Sequence, residues 1–106
     1  MSDTLSRVQS LVRSGTVEVS RHGLLELAAD DILLDDVVAG IESATLVEEY
    51  TEYAKGPCVL ALQSDSAGKP LHILWGIPKD RTEPAVLVTA YRPDADRWSA
   101  DFMRRK

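Results

Sequence analysis

Up to Ala44 the apolar positions of the chain recur with a helical period, and beyond it they alternate as strands do. Between Asp3 and Arg13, Leu5, Val8, Leu11 and Val12 fall on one helical face, with Ser2, Asp3 or Thr4 available as N-cap and Gly15 as the stop. A short extended piece, Thr16 to Val19, meets Ser20, which is placed to cap a second helix carrying Leu24, Leu25, Leu27 and Ala28 until Asp30-Asp31 interrupt it. Asp35-Asp36 then stand where carboxylates favour a helix N-terminus. Behind them Val37, Val38, Ile41 and Ala44 form the stripe of a third helix ending near Ser43.

Four strands are predicted after the change of period: Leu46 to Thr51, Cys58 to Gln63, Leu71 to Ile77 and Ala85 to Tyr91. The runs Lys55-Gly56-Pro57, Ser64 to Lys69 and Pro78 to Pro84 separate them, and such short connections favour an antiparallel meander. In the third strand Leu71, Ile73, Trp75 and Ile77 share one face, predicted to lie under the helices. The opposite alternation would leave four large apolar groups in water at about 1.5–3 kcal/mol each. Asp94 or Asp96 is placed to cap a terminal helical turn bearing Trp98 and Phe102 at i and i+4. The expectation is an α+β fold in which N-terminal helices pack on one face of a mainly antiparallel four-stranded sheet, with a short C-terminal helix. One domain over residues 1–106 is expected.

Composition narrows the function classes. The apolar share of 44% and charged share of 27% are those of a globular chain, and no apolar run approaches the roughly 18 residues of a membrane span. With no basic segment leading into an apolar stretch at the N-terminus, the cytoplasm is the expected location, and no membrane partner is expected. Cys58 has no second cysteine to pair with, and next to Val59-Leu60-Ala61-Leu62 it reads as a small buried hydrophobe rather than a reactive thiol. The net charge of −5 opposes non-specific attraction to polyanions. A nucleic-acid role would need a local basic patch, for which the last fifteen positions, with Arg92, Arg97, Arg104, Arg105 and Lys106, offer the material.

No Gly-rich phosphate loop, paired CxxC, HExxH or GxSxG is present, so no cofactor and no metal are expected. Three weak constellations remain. His22, early in the second helix, and His72, mid-strand, meet only if that helix packs over the sheet. Otherwise His22 is a helix-start residue and His72 a half-exposed strand residue. Tyr91 and Arg92, with Trp98 behind them, form a stacking and phosphate-contacting group, or else core-rim residues with Arg92 paired to Asp94 or Asp96. Arg104-Arg105-Lys106 reads as a solvated basic terminus.

Val19-Ser20-Arg21-His22 before a helix, Ile32 to Val37 opening the next, the strand Leu71-His72-Ile73-Leu74, and Val88 to Asp94 with Trp98 carry a resemblance. Over Val17 to Trp98 the chain resembles the bacterial and archaeal domain-of-unknown-function family 4258, whose members are similar in outline to RelE-like ribonuclease toxins. The resemblance implies a RelE-like sheet with helices on one side and, by analogy, metal-free RNA cleavage, which needs a base, a phosphate-stabilising cation and a proton donor. It implies His22, Tyr91 and Arg92 as the catalytic residues if the chain is a ribonuclease, with Arg21, His72 and Trp98 as binding residues. Members commonly carry arginines where this chain has Glu26 and Asp30-Asp31, and a carboxylate repels a phosphate that a guanidinium would clamp. The leading expectation is therefore a non-catalytic protein-binding or regulatory module on a toxin-like scaffold, with a protein partner. A ribonuclease or RNA-binding toxin is the alternative.

Overall fold

In the computed structural model, which describes residues 2–106, the chain runs α1 (Asp3–Arg13), β1 (Val17–Val19), α2 (Arg21–Ala29), α3 (Leu34–Gly40), a 3-10 turn (Ile41–Ser43), β2 (Thr45–Tyr50), β3 (Cys58–Ser64), β4 (Pro70–Gly76) and β5 (Ala85–Tyr91). Local chemistry sets the helix ends. The Ser2 and Ser20 hydroxyls accept from the Leu5 and Gly23 amides at 3.0 and 2.9 Å, satisfying donors that the first turn leaves free. Asp31, at φ 55°, turns the chain out of α2 through the left-handed region. No side-chain bond caps α3; Asp35 and Asp36 occupy its first turn, at the positive end of the helix dipole.

The strands form one sheet in the order β1-β5-β4-β3-β2, with β2/β3, β3/β4 and β4/β5 antiparallel and β1 parallel to β5. This corrects the expected four-stranded, mainly antiparallel sheet: it has five strands and is mixed. Alternation in Thr16 to Val19 marks extended backbone, but membership of the sheet depends on partners far along the chain. The Ala85 amide donates to the Thr16 carbonyl at 3.0 Å and the Ser20 amide to the Leu87 carbonyl at 2.9 Å.

The expected C-terminal helix is also corrected. Residues 92–106 fold back in turns, with Trp98 bridged antiparallel to Arg105 and Phe102 at φ 61°. Short polar side chains hold local amides that a helix would need: Asp94 takes that of Asp96, Asp101 that of Met103 and Ser99 that of Arg104, at 2.9, 3.1 and 3.1 Å.

One face of the sheet carries the core. Leu5, Val8 and Val12 of α1, with Leu27, Val37 and Ile41, pack on Leu71, Ile73, Trp75 and Ile77, none of the last four more than 2% exposed. Gln63, a buried polar side chain on that face, is satisfied at both ends. It accepts from Trp75 Nε1 at 3.0 Å and donates to the Val37 carbonyl at 2.8 Å, fastening α3 to the sheet. The register turns Glu48, Tyr50, Cys58, Leu60, His72, Leu74, Gly76 and Val86 to the opposite face. A bulge at Val88 opposite the Leu74–Trp75 step brings Thr89 and Tyr91 onto that face as well.

Candidate functional site

The C-terminal segment covers one end of the open face by closing over His72. That histidine is wholly buried, not half-exposed. Its Nε2 lies 2.8 Å from the Phe102 carbonyl, which only accepts, so Nε2 carries the proton and donates. Nδ1 is then the acceptor, and the Tyr91 hydroxyl donates to it at 3.0 Å. Trp98 stands edge-on to the imidazole at 4.4 Å between centroids, and the Arg105 guanidinium lies 4.8 Å above the indole ring while pairing with Glu48. Burial pushes the His72 pKa below its ordinary value, against the Phe102 hydrogen bond, and burial raises that of Tyr91. Both are neutral near pH 7 and hydrogen-bonded to one another.

Arg92 is held on the far side of Tyr91. Its backbone amide and Nε donate to the Asp30 carboxylate and carbonyl at 2.9 and 3.1 Å, Nη1 to Asp65 at 2.9 Å, and Nη2 to the Asp31 carbonyl at 3.3 Å. The expected pairing with Asp94 or Asp96 is replaced by partners from the end of α2 and the β3–β4 turn. The Lys69 amide first, and with it Arg92 and the Ala67 amide, hold the Asp65 carboxyl below its usual range, against the opposing effect of burial. His22 is exposed in the first turn of α2, its Nε2 3.2 Å from Glu26, with Arg21 exposed beside it. The structure thus joins Tyr91, His72 and Trp98 in one cluster. His22 shares no hydrogen bond or ion pair with Tyr91, Arg92 or His72 among the described residues, so the two histidines do not meet.

Beyond that cluster the open face forms a groove of about 570 Å³. Leu60, Leu74, Val86 and Val88 floor it, Cys58 and Gly76 close its far end, and Tyr50, Tyr53, Lys55 and Arg105 stand around it. The wall beside Lys55 depends on Gly56 (φ 124°), where a Cβ would lie 2.1 Å from the Ile77 carbonyl oxygen. That approach lets the Lys79 amide reach the Lys55 carbonyl at 2.9 Å. Cys58 is buried and its thiol pKa raised by burial, as a hydrophobe's would be. No cluster of three or more metal-ligating side chains occurs among the described residues.

A second surface stands apart in kind. Of the six large hydrophobic residues that are exposed among the described residues, five lie on α2 and α3 or at their ends: Leu24, Leu25, Leu33, Leu34 and Val38, the first three more than 60% exposed. Carboxylates of Asp31, Asp35 and Asp36 are interleaved with them. The sequence held a signal for this surface that helical periodicity alone passed over. Adjacent leucines on a helix point about 100° apart, so a doublet on a helix with a narrow buried face leaves at least one outside. For the groove the signal lay in the strand register, which pairing alone reveals.

Compared with known proteins, a family model described as Domain of unknown function (DUF4258) matches residues 19–92, from the end of β1 through Arg92. No curated protein and no solved structure matches the chain.

Proposed function

The chain belongs to the family described as Domain of unknown function (DUF4258), and from that premise we propose that it is a non-catalytic protein-binding module whose partner docks on the α2–α3 surface. The observation that carries the reading is the concentration of exposed aliphatic residues there, five of the six exposed large hydrophobics among the described residues falling within residues 24–38. Exposed apolar groups gathered in one stretch of chain are a common mark of a surface that a partner covers. The acidic residues between them specify a partner with an apolar stripe and a basic rim. A small adjacent coding region for a protein with such a surface is where that partner is to be sought.

The engagement of Arg92 and His72 in the fold supports the same reading. A metal-free ribonuclease needs a cation ready for the phosphate and a base ready for the 2′-hydroxyl. Here four donor groups of Arg92 already have acceptors, and both His72 nitrogens are engaged. A second reading keeps the likeness to RelE-like toxins, with RNA acted on through His22, Tyr91 and Arg92. In its favour, Tyr91 faces a polar cleft that also holds Arg92, Arg97, Arg105 and Lys106. Incubating RNA with pure protein and a chelator separates the two: the binding module leaves it whole, and its induced expression leaves bacterial growth unchanged. Cleavage that disappears in His22→Ala or Arg92→Ala would establish the ribonuclease instead.

A further inference from the structure

Seventeen of the 106 residues are acidic, yet none lines the groove on the open strand face, where two cations, Lys55 and Arg105, are found. Arg105 already pairs with Glu48. The Lys55 ammonium has no hydrogen bond or ion pair among the described residues. Its charge is therefore unpaired beside an apolar floor, in a molecule of net charge −5. The groove's 570 Å³ falls inside the range of about 300–1,000 Å³ typical of small-ligand sites.

We propose that the groove binds a small amphipathic anion, its aromatic or aliphatic body lying on Leu60, Leu74, Val86 and Val88 and its single anionic group paired with Lys55. Each half of that ligand class answers to a separate feature. Burying an apolar body against the floor removes hydrocarbon from water on both sides. The body without the charge would leave Lys55 as it is now, and a small hydrophilic anion would leave the floor wet. A polyanion is disfavoured because its further charges would meet the net negative field of the molecule. The Tyr53 ring, 54% exposed at the rim, is the one large exposed hydrophobic residue outside α2, α3 and their ends among the described residues, and an occupant of the groove would cover it. The proposal is independent of the partner surface on α2 and α3.

The test uses two fluorescent probes with the same ring body, 1-anilinonaphthalene-8-sulfonate and the uncharged N-phenyl-1-naphthylamine, titrated against the intact chain. Saturable binding of one sulfonate probe per chain is expected, at least about tenfold tighter than the neutral probe. Lys55→Glu, a change at an exposed loop position, should weaken the sulfonate about tenfold or more and leave the neutral probe unaffected. Val88→Trp, which fills the floor, should abolish both; if that variant fails to fold, the Lys55 variant still decides. Leu33→Glu, on the α2–α3 surface, should change neither. Equal affinity for the two probes, non-saturable binding, indifference to Lys55→Glu, or loss of the sulfonate in Leu33→Glu would each overturn the proposal.

Discussion

At the scale of single residues, the burial of two polar rings gives the sharpest consequences. His72 is neutral in the fold because burial opposes its charge, so its folded pKa lies below the ordinary 6.5. The unfolded chain then binds a proton that the folded chain refuses, and the stability held above pH 6.5 falls as the pH drops below that value toward the folded pKa. Denaturant titrations between pH 7.5 and about 5 should show that decline. In His72→Gln the decline should flatten, at a lower stability overall, because the Tyr91 and Phe102 bonds lose their common partner. Trp98, only 7% exposed, shields the same imidazole. Trp98→Ala should cost about 3–5 kcal/mol, a large part of what so small a chain has. A loss below about 1 kcal/mol on denaturant titration would show that the indole contributes little to packing there. The neutral Tyr91–His72 pair was not foreseeable from residue types, since a strand histidine can face either side of a sheet.

At the scale of elements, α2 and the terminal segment show where local preference yields to packing. Gly23 lies inside α2, where alanine is ordinarily better by about 1 kcal/mol. Yet a Cβ there would come 2.6 Å from the Leu87 carbonyl oxygen and 2.8 Å from a Leu87 methyl. Gly23→Ala should therefore destabilise, by about 1–3 kcal/mol, as the helix is pushed off β5. A variant with a raised unfolding midpoint would show that α2 can shift without penalty. On the outer side of the same element the opposite holds. Leu24→Asp removes an exposed group and should change stability by less than about 0.5 kcal/mol, while weakening association with the partner proposed for the α2–α3 surface. The helices were legible because their caps, Ser2 and Ser20, and their apolar spacing are short-range properties. The C-terminal helix was misread from the i, i+4 spacing of Trp98 and Phe102, since competing bonds from Asp94, Ser99 and Asp101 to local amides decide that segment.

At the scale of the molecule, Arg92 links three parts of the chain that are far apart in sequence: the end of β5, the end of α2 and the turn between β3 and β4. Asp65 is 8% exposed at its side chain and Arg92 about a third, so the pair is partly shielded from water. Arg92→Ala should lower stability by about 2 kcal/mol, the typical scale for hydrogen bonds to charged groups. If Arg92 serves the fold alone, the variant should leave the partner's affinity for the α2–α3 surface unchanged under conditions where it remains folded. A binding loss without a stability loss would instead assign Arg92 to an interface.

Periodicity and turn chemistry were enough to place three helices and the four strands from Leu46 to Tyr91, and to set Leu71, Ile73, Trp75 and Ile77 on the covered face. Those properties belong to residues close in sequence, and burial of one face per element follows from them. What tertiary structure alone decided was pairing: that Val17–Val19 enters the sheet parallel to β5, that Arg92 finds Asp30 and Asp65 rather than Asp94, and that His72 is closed in by Trp98 and Phe102. Each of these joins residues far apart along the chain, and among several acceptable local partners the choice falls to whichever arrangement buries the common core with every polar group satisfied.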